Sequence, residues 1–220
     1  MKFIQALKNQ LDHNDLPGRI AQHDMAHGER KTWLENYKMP SNPKIAATLT
    51  LLYPKQEIWY IALMQRVSHA KDMHGGQVSF PGGKAEESDI DLKYTALREA
   101  EEELGISPND VTILGQMTEL YIPVSNFLVY PFIGFSEKPP VFNLQQAEVQ
   151  RVIEAPLSIL LDKKNRKFKD IHLPNNIRLK NVPYFDVNGN VVWGATAMML
   201  SEFAAIVKQV TPISRLVEKS

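Results

Sequence analysis

Glu99, Glu101, Glu102 and Glu103 crowd into five consecutive positions of the stretch Arg98-Glu99-Ala100-Glu101-Glu102-Glu103-Leu104-Gly105. In a helix, carboxylates three and four residues apart repel by roughly 0.2–0.5 kcal/mol per pair. Near a helix C-terminus they also face the negative end of the macrodipole. Such a run is either a solvated acidic face or a set of ligands for a cation. Hard divalent cations such as Mg²⁺ take oxygen ligands and keep waters and phosphates in their remaining positions. The chain has no cysteine, so a bound metal would be held by oxygen or imidazole.

A helix is the element that would gather these carboxylates. At 100° per residue, Leu97, Ala100 and Leu104 form an apolar stripe with Ala96 at its edge, while Glu99, Glu102 and Glu103 project from the opposite side beside Arg98. Glu101 falls outside that group. Gly105 followed by Pro108 marks the end of the helix. Upstream, Pro81-Gly82-Gly83 predicts a turn after a short strand, and its glycines permit a close backbone approach to a ligand.

Around this unit the pattern predicts a helix over residues 3–12 and an irregular extension over 13–43. A hairpin is expected from 44 to 66 through Pro54-Lys55-Gln56, with strand candidates at 110–117, 127–135 and 148–161, and at "VVWGA". The basic run at residues 162–169 reads as a solvated loop. A final helix covers 195–210. Mixed strands and helices predict an α/β or α+β sandwich with helices on a mixed sheet. The expected division is a helical and irregular extension over 1–43, a domain over 44–212 and a tail over 213–220.

The composition narrows the classes of partner. The 25 basic and 25 acidic side chains give a formal net charge of zero, which argues against a general nucleic-acid binder. The longest apolar runs, such as "IAATLTLLY", are too short to span a bilayer, and the N-terminus lacks the features of a signal peptide. A cytoplasmic protein acting on a small molecule, as a monomer or homodimer, is the expectation.

Gly83, Asp89 and the segment from Arg98 to Ile106 resemble the Nudix box, G-x5-E-x7-R-E-U-x-E-E-x-G-U, where U is apolar. Asp89 stands at the first acidic position, and eight residues instead of seven separate it from Arg98. The resemblance implies a Nudix-type α/β/α sandwich over roughly residues 44–210 and a Mg²⁺- or Mn²⁺-dependent hydrolase of nucleoside diphosphate derivatives. It implies that Arg98 orients the glutamates and that Glu99, Glu102 and Glu103 bind metal. The general base could be any of these three, or Glu148 in a later loop, where a solvated strand-edge carboxylate is the alternative.

The segment "LMQRVSHAKDMHGGQVSFPGG" is similar to the one preceding the box in coenzyme A pyrophosphatases, through Leu63, Arg66, Gly76, Phe80, Pro81, Gly82 and Gly83. That likeness implies coenzyme A or an acyl derivative as substrate, with Arg66, Lys71, Gln77, Gly82 and Gly83 lining its site. The alternatives are ADP-ribose, a nucleotide sugar, or a non-catalytic nucleotide-binding regulator. Asp72 occupies the place of that pattern's second arginine. His69 and His74 lack a recognised metal spacing, and Trp193 and Tyr184 read as core or pocket wall.

Overall fold

Strand β1 (Lys44–Lys55) is apolar on both faces because it is covered on both. Ala47, Leu49, Leu51 and Tyr53 point into one buried cluster, and Ala46 and Leu52 into another. The computed structural model describes residues 2–12, 16–28, 40–68, 75–173 and 177–210. In it β1 runs antiparallel to β2 (Ile58–Arg66), through a turn at Gln56 and Glu57, whose φ values are 51° and 64°. Two consecutive left-handed residues match the twist of a tight hairpin. The turn therefore lies beyond Pro54 and Lys55, which belong to the strand.

Further strands are β3 (Val78–Ser79), β4 (Gly82–Lys84), β5 (Thr112–Gln116), β6 (Leu120–Ile122), β7 (Phe127–Phe135) and β8 (Val149–Pro156). The main path of the sheet is β3-β2-β1-β7-β5, with β4 also paired to β1, β6 to β7 and β8 to β2. β1 and β7 are parallel and the other pairs antiparallel, so the sheet is mixed. A second, antiparallel sheet holds β9 (Arg166–Leu173), β10 (Ile177–Val187) and β11 (Asn190–Trp193) in the order β11-β10-β9.

Helices cover both faces of the large sheet. Helix α3 (Leu92–Leu104) packs Ala96, Ala100 and Leu104 into the cluster containing Leu49 and Tyr53. On the opposite face, α1 (Lys2–Asp12) and α5 (Gly194–Val210) share a core with Leu52, Ile61 and Phe185, beside α2 (Gly18–His23). The architecture is the expected α/β/α sandwich. Full burial of each large side chain contributes about 1.5–3 kcal/mol, which fixes α3 on the sheet despite its crowded charges. Among the described residues, no helix is long and apolar enough to cross a membrane.

Four local expectations need correction. Residues 18–23 of the presumed irregular extension form α2, whose Gln22 is buried. Leu157–Leu161 is a short helix (α4), an apolar run whose period alone cannot separate strand from helix. Gly82 and Gly83 lie in β4, paired with Thr48 and Ala47, and not simply in a turn. The basic run contains one 3₁₀ turn at Lys163–Asn165 and then enters β9. Its partner β10 is interrupted by a left-handed Asn181 and by Pro183, which masks the strand pattern. Residues 13–15, 29–39 and 211–220, including the expected tail, lie outside the described residues.

Candidate active site

Two caps set the ends of α3. The Asp91 side chain accepts a 2.8 Å hydrogen bond from the Tyr94 N–H, and Gly105 closes the helix with φ 72°. Asp91 directly before the apolar periodicity is the signal that would have fixed the start of the helix. Between these caps, Arg98 gathers the acidic side chains. Its Nε and Nη2 donate to the two oxygens of Asp89 at 2.9 and 3.1 Å, and its Nη1 donates to Glu99 at 2.9 Å and Glu102 at 3.2 Å. Nη2 also donates to the Lys84 carbonyl.

Asp89 thus forms a two-point pair with Arg98, despite being shorter than Glu and one residue further away. Arg98 holds its carboxyl well below the usual carboxylate range.

The expected trio of glutamates divides by depth. Glu103 turns toward the sheet and is only 2% exposed, whereas the side chain of Glu102 is 60% exposed. Gly82 donates its N–H to Glu103 Oε2 at 2.8 Å, and Arg66 Nη1 lies 3.6 Å from Oε1. Burial is the main cause that pushes the Glu103 carboxyl up to about 8, and neighbouring Glu99 and Glu148 add to it. Burial also raises Glu99, against the pull of Arg98. Glu148, exposed in the turn before β8, adds a negative charge that helps to raise both Glu99 and Glu103.

The glycines have a steric reason. A Cβ on Gly83 would lie 2.5 Å from Glu99 Oε2. One on Gly82, whose φ is 149°, would lie 2.3 Å from the Ala47 carbonyl oxygen. Only glycine permits both the β4–β1 pairing and the seating of the carboxylates. Arg66 and Gln77 are neighbours across the β2–β3 ladder, where the Arg66 N–H donates to the Gln77 carbonyl at 3.0 Å. Lys71, Asp72, His69 and His74 lie outside the described residues. Tyr184 and Trp193 are half-buried and paired across β10 and β11.

The donor set suits a hard divalent cation. All of the converging groups are oxygens, and the buried Glu103 is costly to ionise without a close cation beside it. Among the described residues no three His, Asp or Glu side chains are already arranged to hold a metal.

The NUDIX domain family matches residues 43–172. The chain belongs to the Nudix family. It is 34% identical over 176 residues to "Nudix hydrolase 22, chloroplastic" of Arabidopsis thaliana, covering 77% of this chain. It spans only 57% of that relative's length, and 61% of a second Arabidopsis Nudix hydrolase named as mitochondrial. It is also 31% identical over 168 residues to a mitochondrial coenzyme A diphosphatase of Homo sapiens, covering 76% of this chain and 70% of that protein. Those names place the relatives in organelles, so the cytoplasmic location expected for this Nudix protein rests on its sequence alone. The crystal structure of the Nudix hydrolase RenU from M. smegmatis shares the fold with a TM-score of 0.53 at 16% identity, over 77% of this chain and 89% of that one.

Proposed function

We propose that this Nudix protein is a divalent-metal-dependent pyrophosphohydrolase of coenzyme A or acyl-coenzyme A, releasing 3′,5′-ADP and (acyl-)4′-phosphopantetheine. The observation that carries the hydrolase reading is Glu103, buried with one oxygen on the Gly82 N–H and the other 3.6 Å from Arg66, with the negative charges of Glu99 and Glu148 acting on it. Glu99, Glu102 and Glu103 are the residues that would hold Mg²⁺ or Mn²⁺. Bound there, the metal would neutralise diphosphate charge and lower the pKa of a coordinated water.

The chain's own groups supply positioning. Arg98, fixed by Asp89, keeps Glu99 and Glu102 in reach of one another. Gly82 and Gly83 seat Glu103 and Glu99 against β4, where any larger side chain would collide. One of the carboxylates Glu99, Glu102, Glu103 or Glu148 accepts the proton of the attacking water as the water oxygen bonds to phosphorus, and the bridging P–O bond breaks toward the leaving phosphate. Arg66 and Lys71 are the cations assigned to the substrate's phosphates. In-line transfer of this kind needs mainly positioning and electrostatic stabilisation.

The substrate reading is supported by the pre-box segment and by 31% identity to a protein named as a coenzyme A diphosphatase. A hydrolysis screen with Mg²⁺ or Mn²⁺ over coenzyme A, dephospho-coenzyme A, ADP-ribose and nucleotide sugars, with products identified by mass, tests it. The expected result is fastest turnover of coenzyme A, with removal of its 3′-phosphate lowering kcat/KM about ten- to a hundredfold, the value of one charge-assisted contact. Preference for ADP-ribose would overturn the substrate and leave the hydrolase. Metal-independent inertness toward every compound would instead favour a nucleotide-binding regulator.

A further inference from the structure

Arg66 stands at the end of β2, where its Nη1 lies 3.6 Å from Glu103 Oε1. The other oxygen of Glu103 is already engaged by the Gly82 N–H at 2.8 Å. That bond is built into the fold, because Gly82 is pinned to β1 through β4. Among the described residues Oε1 accepts no hydrogen bond, and Arg66 faces that atom. The guanidinium is too far from Oε1 for a hydrogen bond and is 31% exposed. Arg98 differs sharply: its side chain is 13% exposed and tied by five hydrogen bonds to Asp89, Glu99, Glu102 and Lys84. One arginine is a fixed brace. The other is a loose counter-ion.

Resting on the metal-dependent reading of the site, we infer that Arg66 is an exchangeable counter-ion of Glu103, which a divalent metal must displace from Oε1 before Arg66 can turn to the substrate. The pair thus sets the metal affinity of the site and orders the binding steps, metal first. A guanidinium and a divalent cation do not share one carboxylate oxygen at close range, since like charges about 4 Å apart repel strongly even at the effective dielectric of a protein surface. The chain gains from this arrangement because Glu103 keeps a partial counter-charge while no metal is bound. Arg66 is a positioning residue in this role.

The test is a Mn²⁺ titration followed by electron paramagnetic resonance of the free ion, at pH 8.5 and without substrate. The variants are Arg66→Gln, Arg66→Lys and Glu103→Gln, each checked by circular dichroism for an intact fold. Arg66→Gln is expected to bind Mn²⁺ about five- to tenfold more tightly than wild type, the scale of one partly exposed ion pair given up. Arg66→Lys should stay near wild type, since its ammonium restores the competing charge. Substrate KM for Arg66→Gln should rise even though its metal affinity improves, a split that mere loosening of the strand would not produce. Equal or weaker Mn²⁺ binding by Arg66→Gln, with Glu103→Gln clearly weakened, overturns the counter-ion role and leaves the metal site standing. Failure of wild type to bind Mn²⁺ at all overturns both.

Discussion

Glu103 and Glu202 are both buried carboxylates on helices packed against opposite faces of the same sheet, 2% and 0% exposed. Their surroundings differ in one respect. Glu202 has both oxygens met by neutral donors, Oε2 by Gln22 Nε2 at 2.8 Å and Oε1 by the Thr118 N–H at 3.1 Å. Gln22 Nε2 also donates to the Thr118 carbonyl, so helix α2, the loop after β5 and helix α5 are joined in one knot. Among the described residues Glu103 has a single close donor, with a distant arginine for its second oxygen. A saturated buried carboxylate holds elements together. A half-saturated one keeps an acceptor that its described neighbours do not fill.

The largest effect that sharpens this contrast is on turnover. Glu103→Gln should lower kcat by on the order of 10² or more, as for loss of a preorganised electrostatic group, and Glu202→Gln should leave kcat unchanged once the protein is folded. Comparable activity losses in both variants, measured on folded protein, would erase the distinction. Stability should respond in the reverse sense. Glu202→Ala strands Gln22 and the Thr118 N–H, at about 1–3 kcal/mol for each unsatisfied group. Its Tm should fall by several degrees, about 2–4 °C for each kcal/mol lost in a chain of this size, as read by calorimetry.

A third effect depends on pH. Glu103 is raised from 4.5 to about 8, so its folded form favours the proton. Its contribution to stability is fully present below about pH 4.5 and is lost as pH climbs toward 8. In chelator, Tm should therefore decline between pH 5 and 8, and Glu103→Gln should flatten that decline; parallel curves would show that another group is responsible. Saturating Mg²⁺ should restore part of the lost Tm, in proportion to RT ln(1 + [L]/Kd). The smallest effect concerns Glu102. Glu102→Gln should impair turnover, yet its exposed side chain should change stability in chelator by no more than about 0.5 kcal/mol, checked by urea denaturation.

The acidic helix was legible because its apolar stripe, its Gly105 stop and its glutamates all agree at the level of local sequence. The glycine pair and Arg98 were legible for the same reason. The depth of each glutamate was not. Helical periodicity put Glu99, Glu102 and Glu103 on one side, but only packing against β4 and β1 decided that Glu103 is buried and Glu102 is wet. Asp89, a departure from the box by type and spacing, proved able to reach Arg98 through the turn at residues 86–91, where the Glu86 N–H donates to its carboxylate.

The Glu202 knot carried no sequence signal, since Gln22, Thr118 and Glu202 are separated by 96 and 84 residues. The second sheet also escaped, because a left-handed Asn181, Pro183 and a polar exposed face break the alternation that reveals a strand. By itself, then, the sequence determined the identity and spacing of the carboxylates, the glycines that admit them and the α/β class, because each is written in residues close along the chain. Tertiary structure alone decided which carboxylate is saturated and which is left open, because that depends on donors contributed by distant strands and on the burial they impose.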